Sequence, residues 1–460
     1  MNYKIYYFLL ITFSVVNAVK DYNGYKVYRV VPRTEDDVKL LEEFRRTSVG
    51  EFWDDNLVVN YRVNMMVPGD MQGLFLNSTR QTMIEVEEVI PDLQKAIEDQ
   101  LKPATGFRSS ETFHGYSWDR YHNLETINTW MNTLVQNYPG IVRPVVMGRS
   151  VENREIRGII INYKPEKTNK LMGILEGTLH AREWIAPATV TWIVKEFLTS
   201  TDPQVRAMAE NIEWHVFPVV NPDGYHYSFT THRMWRKNRS PESFGTCEGA
   251  DDDMSHGVDL NRNFDFVWMS VGASNNPCSN TFAGPRPFSE PESRAISQYV
   301  LNLKEQGEII YYLAYHSYTQ LIVIPYSHVT GSDVLLANNY ADMYEIGIRS
   351  ADAIAKRYGT VYRVGVSSEI LYPISGGSFD WVKKVADVPI TFLIELRDLG
   401  EYGFLLPPEQ IIPNNLETMD GLIEMDRVTK LLGYYSAGAI SKVISLSVLV
   451  LCSMVIVLFN

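Results

Sequence analysis

The stretch GTLHAREW, residues 177–184, decides how the rest of the chain is read. His180 and Glu183 stand three residues apart within it. An imidazole and a carboxylate at that spacing suit Zn2+, but two ligands do not hold the ion alone. A third is on offer at His316, far downstream in AYHSYTQL. A short pair plus one remote histidine is how catalytic zinc sites with an open fourth position are often built. Just before the pair, residues 171–176 form a short apolar run of strand character; just after it, 185–198 carry a helical pattern.

Outward from this point, strand and helix patterns alternate from residue 121 onward. Helical spacing predicts helices over 121–136, 185–198, 290–304, 337–357 and 414–432. Short apolar runs predict strands over 142–147, 156–161, 171–176, 212–217, 311–315 and 390–396. Such alternation implies an α/β sheet with helices on both faces, with ligands at the strand ends. His180 follows one strand, His316 ends another, and Glu395 lies at the end of a third. Upstream, residues 19–108 read as a small α+β unit. Strands are expected over 25–31, 60–67 and 82–86, and helices over 36–46, 71–76 and 92–102. That order fits a ferredoxin-like sandwich. Between the units, PATGFRSSET (103–112) is polar, contains Gly and Pro, and has Arg108 in its middle. It reads either as a site of proteolytic nicking or as a plain linker.

The 460 residues exceed one typical domain, and 45% hydrophobic with 21% charged residues describes a globular chain. A net charge of -13 argues against a nucleic-acid or anionic-membrane surface partner. Residues 1–18, with Lys4 ahead of an apolar run and Ala18 at the end, read as a signal peptide. Export would make Asn77 (NST) and Asn238 (NRS) glycosylation acceptors. Residues 443–459 carry no charge, and small residues Ser436, Ala437 and Gly438 precede them. The tail at 433–460 reads as a lipid-anchor signal, with a retained membrane anchor as the alternative. The expected location is therefore secreted or on the extracellular face of the plasma membrane. Of three cysteines, Cys452 falls in the tail, which leaves at most one disulfide for the folded body.

Four further stretches complete the pattern: RMWRKNRS (233–240), GVDLNRNF (257–264), ILYPISGGSFDW (370–381) and IELRDLGEYGFLLP (394–407). Together with the two histidine stretches, this set resembles the zinc metallocarboxypeptidases of the A/B type, made as secreted proenzymes. The resemblance spans residues 20 to 432. It implies a mixed eight-stranded sheet with helices on both faces, preceded by a ferredoxin-like inhibitory propeptide domain. The implied divisions are 1–18, 19–108, 109–432 and 433–460.

The resemblance also implies roles. One Zn2+ would sit on His180, Glu183 and His316. Glu395 would be general base and proton shuttle, and Arg236 the oxyanion donor. Arg262, with Asn261 and Tyr372, would grip the free carboxylate of a peptide substrate, and Arg182 and Tyr318 would make secondary contacts. Phe404 would line an aromatic subsite or simply pack in the core, and Asp259 would orient His180. Phe379 takes the position that is acidic in basic-specific members, with Ser327, Ser367, Ile374 and Leu393 around it. Release of apolar or aromatic C-terminal residues is expected, with an aliphatic preference as the alternative. Cys247 and Cys278 match the family's disulfide, and a trypsin-like protease would cut between Arg108 and Ser109. Gly376 and Gly377 are compatible with a moving loop at Tyr372. The other seven histidines, His232 among them, read as ordinary surface or core residues. An inactive, peptide-binding relative is the alternative function. The presence of the three ligands and Glu395 argues against it.

Overall fold

Two patterns of alternation fold into two sheets. The structure, a computed structural model, describes residues 19–54, 57–104, 112–167, 170–241, 244–245, 247, 252–329 and 334–435. The expected signal peptide, the Arg108–Ser109 cleavage point and the apolar tail lie outside the described residues.

The small sheet contains β1 (Lys26–Val31), β2 (Glu51–Phe52), β3 (Val63–Val67) and β4 (Glu85–Ile90), in the antiparallel order β2-β3-β1-β4. Its helices are α1 (Glu35–Arg46), α2 (Gln72–Thr79) and α3 (Leu93–Gln100). Helix α1 starts at a capping box: the Thr34 hydroxyl accepts from the Asp37 N–H, and the Asp37 carboxylate accepts from the Thr34 N–H. Leu41 and Phe44 on its inner face pack with Tyr28, Met65 and Phe75. Asn77 is exposed on α2.

The large body runs α4 (Leu124–Asn137), β5 (Val142–Arg149), β6 (Glu155–Ile161), β7 (Leu171–Gly177), α5 (Ile185–Thr199), α6 (Pro203–Asn211), β8 (Ile212–Phe217), α7 (Pro222–Thr230), α8 (Pro291–Gln306), β9 (Glu308–Ser317), β10 (Leu321–Ile324), α9 (Tyr340–Tyr358), β11 (Arg363–Val366), α10 (Ser367–Ile370), α11 (Ser378–Trp381), β12 (Ile390–Leu396) and α12 (Ile411–Leu431). Its eight strands lie in the order β11-β10-β12-β9-β7-β8-β6-β5. The centre is parallel (β12-β9-β7-β8), whereas β6 and β5 run antiparallel on one side and β10 opposes β12 on the other.

The strand period of two divides the core between the faces. On β9, Tyr311, Leu313 and Tyr315 pack among residues of α4, α5, α6, α9 and α12, while Tyr312 and Ala314 pack toward α8 and α11. Cys247 and Cys278 form the expected disulfide. Asn238 corrects a sequence expectation. Its side chain is buried, and its amide donates to Glu290 at 2.8 Å and Glu292 at 3.1 Å, so the folded body has no room for a glycan there.

A further apolar cluster joins the two bodies. Tyr22, Trp53, Leu93 and Ile97 from the small one pack with Met234, Tyr318, Phe404 and Leu405 from the large one.

Candidate active site

Parallel strands end together, so side chains at their C-terminal ends converge. β7 delivers the chain to His180 and Glu183, which precede α5, and β9 carries His316. All three are buried, and their ligand atoms lie within 4.8 Å of one another. His180 Nδ1 is 2.7 Å from Glu183 Oε1 and 3.1 Å from His316 Nδ1. His316 Nδ1 also touches Glu183 Oε2 at 2.9 Å, yet without hydrogen-bond geometry, which leaves that buried oxygen unsatisfied.

Asp259 determines which atoms face inward. Its Oδ1 is 3.1 Å from His180 Nε2 and accepts the N–H of Asn261 at 2.9 Å. Burial alone would push the Asp259 carboxyl up; the charges of Arg236, His180 and Arg262 overcome it and hold the group well below the usual carboxylate range. An ionised carboxylate needs a donor, so His180 carries its proton on Nε2 and turns the Nδ1 lone pair inward. Two imidazoles and a carboxylate with an orphaned oxygen, converging in a buried site, fit a tetrahedral Zn2+ with one position left open.

Glu395 sits beside this set because β12 pairs with β9 in parallel register, Glu395 opposite His316. It is half-buried, lines the cavity described below, and its Oε2 has no hydrogen-bond partner. Burial pushes its carboxyl up to about 8; His316 and Arg236 pull against this, and Glu183 adds to it. Arg236 donates to Asp259 Oδ2 through Nε at 3.1 Å and Nη2 at 2.8 Å, while its Nη1 lies 4.0 Å from Glu183 Oε1.

Arg262 is buried. It donates from Nε to Gly272 O at 2.7 Å and from Nη1 to Asn261 O at 3.0 Å. Asn261 Oδ1 accepts the Ser378 N–H at 2.9 Å. Gly376 presses on this segment at a φ of +71°; a Cβ there would meet Arg262 O at 2.3 Å, and its N–H and C=O are bonded to Phe266 and Phe264. That glycine serves a close approach of the two segments.

A cavity of about 40 Å³ joins these groups. Its apolar wall includes Val323, Leu371, Ile374, Phe379 and Leu393, with Ser367 and Tyr372 alongside. Phe379 is fully buried. Ser327, expected in this wall, is not among its lining: its hydroxyl donates to Asp380 Oδ1 at 3.4 Å and its backbone N–H to Asp380 Oδ2 at 2.9 Å. Burial pushes the Asp380 carboxyl up to about 7, against the pull of the Ser327 hydrogen bonds.

The small body closes the cavity from outside, through residues that the sequence did not single out. Arg182 Nη2 donates to Trp53 O at 2.7 Å, and the Tyr318 hydroxyl donates to Asp54 Oδ2 at 2.9 Å. Trp53 packs on Tyr318 and Phe404, and Tyr61 meets Tyr372 edge-on at 6.4 Å. Phe404 also carries the Arg182 guanidinium at 4.2 Å, so it both packs and lines the cavity. The only local signal was an acidic segment around one tryptophan, EFWDDN (51–56).

Comparison with known proteins agrees with this geometry. Residues 127–421 match the zinc carboxypeptidase family, and residues 28–100 match the carboxypeptidase activation peptide. The chain is 37% identical over 431 residues to zinc carboxypeptidase A 1 of Anopheles gambiae, covering 93% of this chain and 95% of that one. It is 45% identical over 320 residues to a zinc carboxypeptidase of Simulium vittatum, covering 69% of this chain and all of that one. The crystal structure of carboxypeptidase A from Helicoverpa armigera superposes with a TM-score of 0.77 at 28% identity, covering 90% of this chain and 99% of that one. The chain belongs to the zinc carboxypeptidases. It is an enzyme of that class made with its activation peptide, and Zn2+ is its cofactor.

Proposed function

We propose that residues 109–432 form the catalytic unit and 19–108 an inhibitory propeptide, freed when a trypsin-like protease cuts between Arg108 and Ser109. The observation that carries this reading is the buried donor set beside Glu395 in a cavity stoppered by Trp53 and Asp54. His180, Glu183 and His316 would hold the ion, which would supply Lewis acidity and lower the pKa of water there. Glu395 takes a proton from the water that adds to the scissile carbonyl carbon. It returns that proton to the departing amine nitrogen as the C–N bond breaks. Arg236, fixed on Asp259, donates to the oxyanion that develops in between. Arg262, Asn261 and Tyr372 hold the free carboxylate of the last residue, which restricts cleavage to the C-terminal bond. Arg182 and Tyr318 contact residues upstream; in the zymogen Trp53 and Asp54 use those donors.

Phe379 sets the pocket for the released side chain. A lysine or arginine charge would be left unpaired against it, which is costly. The buried Phe379 ring, bulkier than an aliphatic side chain, leaves a shallower pocket that favours aliphatic residues over aromatic ones. The product class is thus apolar C-terminal residues, and the site of action extracellular, with membrane attachment through the tail at 433–460. After tryptic activation, peptides ending in Leu, Phe and Lys should be hydrolysed in that order of rate, and a chelator should stop all three. Fast release of lysine would overturn the specificity; activity equal before and after trypsin would overturn the inhibitory role.

A further inference from the structure

On β7, Met172 and Ile174 pack on the α8 and α11 side of the large sheet. The strand period of two puts Glu176 on the same face. It is 1% exposed, so an otherwise apolar row ends in a buried carboxyl group. Its Oε1 accepts the hydroxyl of Ser378, the first residue of α11, at 3.3 Å. Among the described residues, its Oε2 has no hydrogen-bond partner. Tyr312, diagonal to it on β9, brings a hydroxyl beside Glu176 and Ser378, though without hydrogen-bond geometry. An aliphatic side chain would fill this place without the cost of burying such polar atoms. A carboxyl kept there against that cost calls for a function.

The use lies one bond further on. The Ser378 N–H donates to Asn261 Oδ1 at 2.9 Å. Only the oxygen of a carboxamide can accept an N–H, so this bond fixes which way the Asn261 amide is turned. Its Oδ1 is held by α11, and the donor Nδ2 is left for the cavity that Asn261 lines. An ionised carboxylate only accepts, so it needs that donor and is repelled by the oxygen. The backbone of Asn261 is fixed separately: its N–H donates to Asp259 Oδ1 at 2.9 Å, and its C=O accepts from Arg262 Nη1 at 3.0 Å. The direction of the side-chain amide therefore depends on where Ser378 sits.

We propose that Glu176 is a positioning residue. By holding the Ser378 hydroxyl it seats the first turn of α11, and through the Ser378 N–H it keeps Asn261 turned to bind a substrate carboxylate. The inference rests on the role proposed above for Asn261 in holding that carboxylate. Hydrogen bonds of Gly376 to Phe264 and Phe266 hold the chain just ahead of α11, so removing this tether should weaken binding without unfolding the pocket.

The test uses the trypsin-activated enzyme and peptides ending in leucine. Glu176→Met, of similar length but with no oxygen, should raise KM roughly fivefold and leave kcat within about twofold, because the carboxylate is held alike in ground and transition states. Ser378→Ala should do the same. Combined, the two effects should not multiply, since both variants break one bond. Glu176→Gln, which keeps an oxygen for the hydroxyl, should stay within about twofold of wild type in KM. An unchanged KM in both single variants, a fall in kcat alone, or multiplied effects in the double variant overturns the proposal. A second measurement needs no activity. In the full-length chain, the amide hydrogen of residue 378 should exchange roughly fivefold faster in Glu176→Met than in wild type or Glu176→Gln; equal exchange in all three overturns the seat. Ser378→Ala, one atom smaller, carries both readouts if Glu176→Met does not fold. If the activated wild type releases no C-terminal residue, the carboxypeptidase reading fails, and the exchange result still decides whether Glu176 seats α11.

Discussion

Strand β9 of the large sheet buries every residue after its first, whereas β4 of the small sheet buries only its last. Helices cover both faces of the large sheet; the edge strand β4 of the small sheet carries exposed carboxylates paired with basic residues, Lys26–Glu88, Arg29–Glu87 and Arg33–Glu85, at 2.8–2.9 Å. Exposed pairs of this kind add little stability. What seats the small body is the cluster it shares with the large one, around Trp53, Tyr318 and Phe404. The large body has its own two cores and needs no such partner. The difference teaches that changes in the two bodies should act in opposite directions. Damage to the large one removes chemistry, and damage to the seat of the small one uncovers it.

The largest effects should come from the donor set and its neighbour. A chelator should abolish activity of the trypsin-treated enzyme, and added Zn2+ should restore it, measured as release of C-terminal leucine. Glu395→Gln should lower kcat by about 10²- to 10⁴-fold with the fold intact by circular dichroism. Trp53→Ala should do the reverse. Truncating a buried tryptophan costs about 3–5 kcal/mol, so the uncut zymogen should gain activity by roughly 100- to several thousand-fold if that loss falls on closure; an unchanged zymogen would contradict the shared-cluster account. Phe379→Asp should exchange the preference, with lysine release overtaking leucine release by about tenfold or more in kcat/KM. At the small end, Glu88→Gln should leave the melting temperature unchanged within error; a clear drop would mean that the small sheet is held by its surface pairs after all.

Much of this was legible in the sequence because the informative residues are local. The ligand pair spans four residues, and the strands near whose ends His316 and Glu395 lie are apolar runs of the kind a buried parallel sheet carries. β2, β10 and β11 escaped notice because strands of two to four residues show no period, and their existence depends on a distant partner. Asn238 was misread because a sequon says nothing about burial, and two glutamates fifty residues away enclose it. Trp53 and Asp54 were passed over for the same reason, since their meaning lies in Arg182 and Tyr318, more than a hundred residues downstream.

Glu395 faces the zinc-binding side chains because β12 lies against β9 with Glu395 opposite His316. Successive strand residues point to opposite faces, so a slip of one position would aim this carboxylate through the sheet into the helices behind it. Mis-threaded molecules would therefore be silent as well as unstable. Turnover per mole of purified protein then counts the fraction of chains whose central strands found the right alignment.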